Sequence, residues 1–313
     1  MAWGWRMNHL GLALDSYLAV RRALGFKLER HEYELRKFVK YMQQQQASIV
    51  TIALALDWAT QSNNAAPITH AKHLHILRGF ARHLHASDPR HEVPPVGLIP
   101  YHTVRYQPYI YSGKDVTALL VAAQGIHHPL MASTYTTLFG LLAVTGMRLG
   151  EAIALDVDDV DYNDAVLFIR DSKFHKSRQL PLHSTTRDVL RVYADKRDEF
   201  ISRPRGPSFL MSTTGTRLIS QNVHATFWKL LQKAGLYERR PRRPRIHDLR
   251  HSFAVNTIRR WYEAGLDVEP RVASLSTYLG HVSPSSTYWY LTATPELMAL
   301  VAKRLERAME KLS

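Results

Sequence analysis

The chain contains no cysteine. That removes disulfides, thiol nucleophiles and thiolate-bound zinc, and it fits a reducing, cytoplasmic setting. No apolar run approaches the ~18 residues that a membrane helix needs; the best stretch, Leu138 to Val144, is far shorter. The opening residues, Met1-Ala2-Trp3-Gly4-Trp5-Arg6, lack the uninterrupted apolar core of a secretory leader. Negative charge is also scarce: 27 Asp and Glu stand against 41 Lys and Arg, a net charge of +14. Without a membrane anchor, such a surplus makes nucleic acid the leading partner, because each neutralised phosphate releases condensed counterions. The surplus is densest where Arg239, Arg240, Arg242, Arg243, Arg245 and Arg250 face only Glu238 and Asp248.

What is present organises into two domains. Over the first ninety residues, apolar positions recur at helical spacing. The pattern predicts helices ending near Gly25, over Glu29 to Gln46, over Ile49 to Gln61, and from Pro67 through Leu84. Residues 1–92 therefore read as a compact helical bundle. Prolines 94, 95, 100 and 108 forbid regular structure over 93–111, which reads as a linker. Residues 112–313 read as a mostly helical α+β domain. Helices are expected over Lys114–Gln124, Pro129–Ala143, Thr185–Phe200, Ser220–Ala234, His247–Ala264, Arg271–Leu279 and Pro295–Leu312, with strands at Ala165–Arg170 and Gln179–Leu182 forming a small antiparallel sheet. The fold class is mainly α. The last helix sets Leu297, Leu300, Val301, Leu305 and Met309 against Lys303, Arg304, Arg307 and Lys311, an amphipathic tail that can pack on its own domain or dock on a neighbouring copy.

Two features raise the question of a metal. Asp156, Asp158, Asp159, Asp161 and Asp164 cluster, but a calcium loop starting at Asp156 puts Val160 at its fifth position, and one starting at Asp159 puts Arg170 at its twelfth. The cluster reads as a solvated connection before the sheet. The histidines at 70, 73, 75, 83, 85 and 91 lie mostly on a helix expected to face DNA. Neither metal nor cofactor is expected.

Four separated segments carry groups suited to phosphate chemistry. In Thr145-Gly146-Met147-Arg148-Leu149-Gly150-Glu151, Gly146 caps one helix, Arg148 opens the next, and Glu151 lies where it can orient the guanidinium. The turn between the strands offers Lys173 and Lys176, either of which could donate a proton, followed by Arg178. His247 and Arg250 project together from one helix face, a guanidinium fork beside an imidazole. Last come Leu279-Gly280-His281 and two phenols, Tyr288 and Tyr290. A phenol, with a pKa of about 10, attacks phosphorus only with help from nearby cations. Residue chemistry alone leaves the choice of lysine and of tyrosine open.

Taken together and in order, these segments resemble the catalytic set of the tyrosine recombinases, the family of phage integrases and Xer-type enzymes. The resemblance covers roughly 112 to 300, and the helical bundle is similar to that family's SAM-like core-binding domain. Thr-Gly-Met-Arg-Leu-Gly-Glu resembles the first arginine motif, and His-Asp-Leu-Arg-His-Ser-Phe-Ala the second. The resemblance implies Tyr290, nine positions after His281, as nucleophile, and Lys173 as the acid that protonates the leaving oxygen. It implies that Arg148 and Arg250 neutralise the phosphate, that His281 adds a hydrogen bond there, that His247 assists proton transfer at the tyrosine, and that Glu151 supports. Lys176, Arg178, Arg239, Arg240, Arg242, Arg243 and Arg245 are expected at DNA. Gly150 stands where serine is frequent, and Phe174-His175 replaces a frequent glycine-containing turn. The function so implied is site-specific recombination of double-stranded DNA at paired sites by a homotetramer, through a 3′-phosphotyrosyl link, without metal or ATP, in a mobile-element or Xer-like system. The alternatives are a type IB topoisomerase and a non-catalytic DNA-binding regulator.

Overall fold

A computed structural model describes residues 3–101, 107–170, 177–238, 243–281, 283, 285–292, 298, 299 and 302. The chain divides into two compact units, 1–105 and 106–313.

The first unit is a helical bundle: α1 (Trp3–Ala23), α2 (Glu29–Gln44), α3 (Ile52–Thr60) and α4 (Pro67–Ser87). Each helix buries one stripe. Leu10, Leu14 and Leu18 recur every fourth residue on α1, and they meet Leu35, Phe38 and Met42 of α2, Trp58 of α3, and Leu74, Leu77 and Leu84 of α4. The Thr51 hydroxyl accepts the Leu54 amide at 3.2 Å to start α3, and Pro67 starts α4 without wasting a donor.

The described part of the expected linker is not a bare tether. Buried Arg78 on α4 donates to the carbonyls of Pro94 (2.7 Å) and Pro95 (2.8 Å), and Leu98 and Ile99 pack onto the bundle core. At its other end Tyr109 and Tyr111 are buried in the second unit, where the Tyr111 amide donates to Ser252 Oγ at 2.7 Å. Proline forbids helix and strand, but its carbonyl remains an acceptor, and Arg78 exploits that. The bundle histidines make protein contacts. His91 is buried and accepts the Val50 amide at 3.0 Å, and His70 lies 3.0 Å from the Ser62 carbonyl.

In the second unit, α5 (Gly113–Gln124) opens on a Ser112–Asp115 capping box. The central helix α6 (Pro129–Thr145) is apolar on most faces and packs against α5, against α8 (Ser184–Phe200) and against α10 (Ile246–Glu263). The remaining described helices are α7 (Leu149–Ala154), α9 (Ser220–Lys233), α11 (Glu269–Leu279) and α12 (Ser285–Tyr288), the last running into a 3₁₀ turn over Trp289–Thr292. Strands β1 (Val160–Asp161), β2 (Val166–Ile169) and β3 (Arg178–Pro181) form an antiparallel sheet in sequence order, with Leu167 opposite Leu180 and Ile169 opposite Arg178.

The sheet corrects one expectation. The acidic run is structured: it supplies β1, its Asp159 is buried and paired with Arg170, and Asp156 holds Arg217 at 2.5 Å. The expected helix over Pro295–Leu312, with its amphipathic docking face, falls almost wholly outside the described residues.

Gly146 ends α6 with φ +62°, and a Cβ there would sit 2.5 Å from a ring carbon of Phe253. Gly235 has φ +67° but nothing within 4 Å of its Cβ position. Gly146→Ala therefore combines backbone strain with a clash and should cost roughly 2–4 kcal/mol of stability, against about 1 kcal/mol for Gly235→Ala. Urea unfolding of the two variants checks this, and equal losses would contradict the packing argument.

Candidate active site

The site is built on the C-terminal end of α11. A helix end leaves carbonyls without amide partners and carries partial negative charge. Here three consecutive carbonyls each receive a different arginine: Tyr278 from Arg178 Nε (2.8 Å), Leu279 from Arg250 Nη2 (2.7 Å) and Gly280 from Arg148 Nη2 (2.9 Å). Gly280 turns the chain with φ +67°, and a Cβ on it would meet the Arg178 guanidinium at 3.0 Å. Arg250 also donates through Nη1 to the Gly146 carbonyl at 2.9 Å, which ties the end of α6 to the end of α11.

One carboxylate serves this group. Glu151 accepts from the Arg148 amide (2.8 Å), Arg148 Nη1 (2.7 Å), and Arg178 Nη1 (3.1 Å) and Nη2 (2.8 Å). Burial pushes its carboxyl up, but the Arg178 and Arg148 hydrogen bonds outweigh that and hold it at about 2. Three guanidiniums against one carboxylate leave a positive surplus. Arg250, buried beside Arg148, is pushed down to about 10 and remains charged at neutral pH.

Against this surplus stand three neutral histidines. Desolvation, followed by Arg250, Arg245 and Arg148, pushes His247 down to about 4, although the residue is exposed on one side. Desolvation, then Arg250 and Arg148, pushes His281 to about 4; desolvation, then His247 and Arg245, pushes His251 to about 3. His281 Nδ1 lies 2.6 Å from the hydroxyl of buried Thr287, leaving Nε2 for another partner. Such a pocket suits an anion with several oxygens.

The structure thus brings Arg148, Arg250, His281, Glu151, His247 and Tyr290 together. Tyr290 is 2% exposed; its ring stacks on His281 with centroids 6.2 Å apart, and its hydroxyl lies 3.0 Å from His251 Nδ1. Tyr288 is 41% exposed. Lys173 and Lys176 lie outside the described residues, as do Arg239, Arg240 and Arg242. Arg243 and Arg245 are exposed; Arg243 stacks on Tyr237 at 3.8 Å, and Arg245 pairs with Asp248 at 3.2 Å.

Arg178, expected at DNA, is engaged within the protein. Its side chain is only 12% exposed, and Nε, Nη1 and Nη2 are all engaged by Glu151 and the Tyr278 carbonyl, so it braces the site from within. Two residues went unremarked in the motifs: Thr287 and His251. Thr287 carries no local signal. His251 does, since it follows His247 by four residues and so shares its helix face, with ring centroids 4.6 Å apart.

Two outcomes follow. Glu151→Gln leaves Arg148 and Arg178 without their counter-charge in a largely buried place, and should cost about 3 kcal/mol in urea unfolding. For the histidines, folded values below the unfolded ~6.5 mean that the unfolded chain binds more protons as pH falls. Their contribution is therefore intact above about pH 6.5 and is lost on descent towards pH 4. The melting temperature should fall across that window, and fall less steeply in His281→Asn; parallel slopes would refute the assignment.

Residues 112–296 match the family model described as the phage integrase family. The Sinorhizobium fredii protein named integrase/recombinase y4rB is 43% identical over 311 residues, covering 97% of this chain and 99% of the relative. The tyrosine recombinase XerC of Azotobacter vinelandii is 28% identical over 220 residues, covering 70% and 68%. Among solved structures, the Tn1549 transposon integrase in complex with transposon right end DNA aligns with a TM-score of 0.65 at 14% identity, over 94% of this chain and 98% of that one. A lambda integrase tetramer bound to a Holliday junction aligns at 0.62 and 19% identity, over 90% and 76%. These likenesses extend the fold across both units, and among the described residues no helix is long and apolar enough to cross a membrane. With the family model spanning more than half the chain and a close relative spanning nearly all of it, this protein belongs to the phage integrase family and is a tyrosine recombinase.

Proposed function

We propose that the chain cuts and rejoins double-stranded DNA at paired sites through a 3′-phosphotyrosyl link on Tyr290. The observation that carries this reading is the placement of a buried phenol beside His281, within a pocket that holds a surplus of guanidinium charge. A phosphodiester would supply the missing negative charge. As Tyr290 Oη attacks, its bond to phosphorus forms and the bond to the 5′ oxygen breaks. Arg148 and Arg250 stabilise the charge that grows on the non-bridging oxygens, a preorganised effect because backbone carbonyls already hold both guanidiniums. His281, its Nδ1 occupied by Thr287, offers Nε2 to the same oxygens. His247 assists departure of the phenolic proton, and Lys173, assigned from motif order, gives a proton to the leaving 5′ oxygen. The phosphodiester's free energy is kept in the tyrosyl ester, so a second strand's 5′-hydroxyl can reverse the step; as written, the chemistry uses neither ATP nor a metal.

The relatives' names support a mobile element or an Xer-like system as the setting, and the tetrameric neighbour supports assembly of four copies on DNA. Nicked suicide duplexes carrying the recombination site test the mechanism. Wild type and Tyr288→Phe should accumulate covalent protein–DNA adducts, and Tyr290→Phe none. Arg148→Ala and Arg250→Ala should slow adduct formation about a hundredfold or more. Adducts persisting in Tyr290→Phe would remove Tyr290 as nucleophile, and relaxation of plasmids lacking any paired site would favour a topoisomerase.

A further inference from the structure

The Tyr290 hydroxyl points at a side chain to which the catalytic set gives no role. His251 Nδ1 lies 3.0 Å from Tyr290 Oη, and the imidazole is enclosed on other sides by the edge of His247 (centroids 4.6 Å) and by Trp289 (5.6 Å). Tyr290 belongs to the buried apolar cluster that includes Val255, Ile258, Leu275 and Leu279, and its hydroxyl is its polar end. We propose that His251 is the positioning residue of the nucleophile: its Nδ1 accepts the hydrogen bond of the Tyr290 hydroxyl and so sets where the phenolic oxygen stands. The inference rests on Tyr290 being the nucleophile.

Three features favour this role over incidental packing. First, an acceptor at Nδ1 directs the phenolic proton toward α10 and draws on none of the oxygen's lone pairs. Second, His251 directly follows Arg250 in α10, whose guanidinium is fixed by Gly146 and Leu279. One stretch of helix therefore grips both the phosphate site and the nucleophile, which fixes the separation of the reacting atoms, a quantity to which rate is steeply sensitive. Third, burial and the neighbouring His247 and Arg245 keep this imidazole neutral, with a value near 3. A neutral ring accepts a hydrogen bond at Nδ1 when Nε2 carries the proton. So weak a base holds the phenol without ionising it, and the nucleophile stays protonated away from DNA.

Three variants separate this from a structural role. The side-chain amide of Asn overlays Nδ1 of histidine, whereas that of Gln reaches the place of Nε2. On nicked suicide duplexes at saturating DNA, His251→Phe and His251→Gln should slow adduct formation about tenfold or more. His251→Asn should recover most of the rate, and all three should bind DNA within about twofold of wild type in mobility-shift assays. Wild-type cleavage by His251→Phe, or equal rescue by Gln and Asn, would overturn the proposal. A second measurement is independent of activity: ¹⁵N-histidine NMR should find His251 as a single Nε2–H tautomer in wild type and a tautomer mixture in Tyr290→Phe. An unchanged tautomer in Tyr290→Phe would equally overturn it. Should Tyr290→Phe still form adducts, the nucleophile assignment itself fails; should it be inert while every His251 variant cleaves normally, only the positioning role fails.

Discussion

Everything in the catalytic unit turns on what happens to three carbonyls at the end of α11. Left alone, Tyr278, Leu279 and Gly280 would present unsatisfied acceptors at the negative end of a helix. Three arginines arriving from β3, α10 and the start of α7 satisfy them. Each arginine is thereby held by backbone, which does not rotate as side chains do. This is why a pocket assembled from distant segments needs little else to fix it: Gly146 and Gly280 supply the left-handed turns that aim the carbonyls, and Glu151 balances part of the charge. The site is a helix terminus capped by cations.

The same arrangement explains the neutral histidines. Loss of hydration, reinforced by the neighbouring guanidiniums, pushes His247, His251 and His281 down, so each imidazole keeps a lone pair at neutral pH. Neutral imidazoles can accept from a phenol or a hydroxyl, and His251 and His281 lie within hydrogen-bond distance of the Tyr290 and Thr287 hydroxyls. Guanidinium charge and neutral imidazoles thus coexist in one site.

How much of this was legible in the sequence depends on range. Pro67 and the spacing of Leu74, Leu77 and Leu84 disclose α4 locally, and the observed helix runs from Pro67 to Ser87. The site residues were legible only as ordered motifs, since Arg148 and Arg250 meet at carbonyls, and His281 meets a hydroxyl, that no pattern announces. What escaped reading lies at long range. Arg178 reaches a carbonyl 100 residues away, His251 a hydroxyl 39 residues away, and Arg78 two proline carbonyls 16 and 17 residues away. A basic residue in a strand and a DNA-facing basic residue look alike until their partners are known. The acidic run misled for the same reason, because the buried pairing of Asp159 with Arg170 is a tertiary contact.

The burial of Tyr290 bears on fidelity under the proposed function. With 2% of its surface accessible, the proposed nucleophile would have to be uncovered before it met a phosphodiester. Contacts elsewhere on the duplex would then supply the work of uncovering, and such coupling trades some catalytic power for discrimination. A sequence that binds loosely would leave the tyrosine shielded, so an error in recognition would be rejected before a strand is broken rather than repaired after.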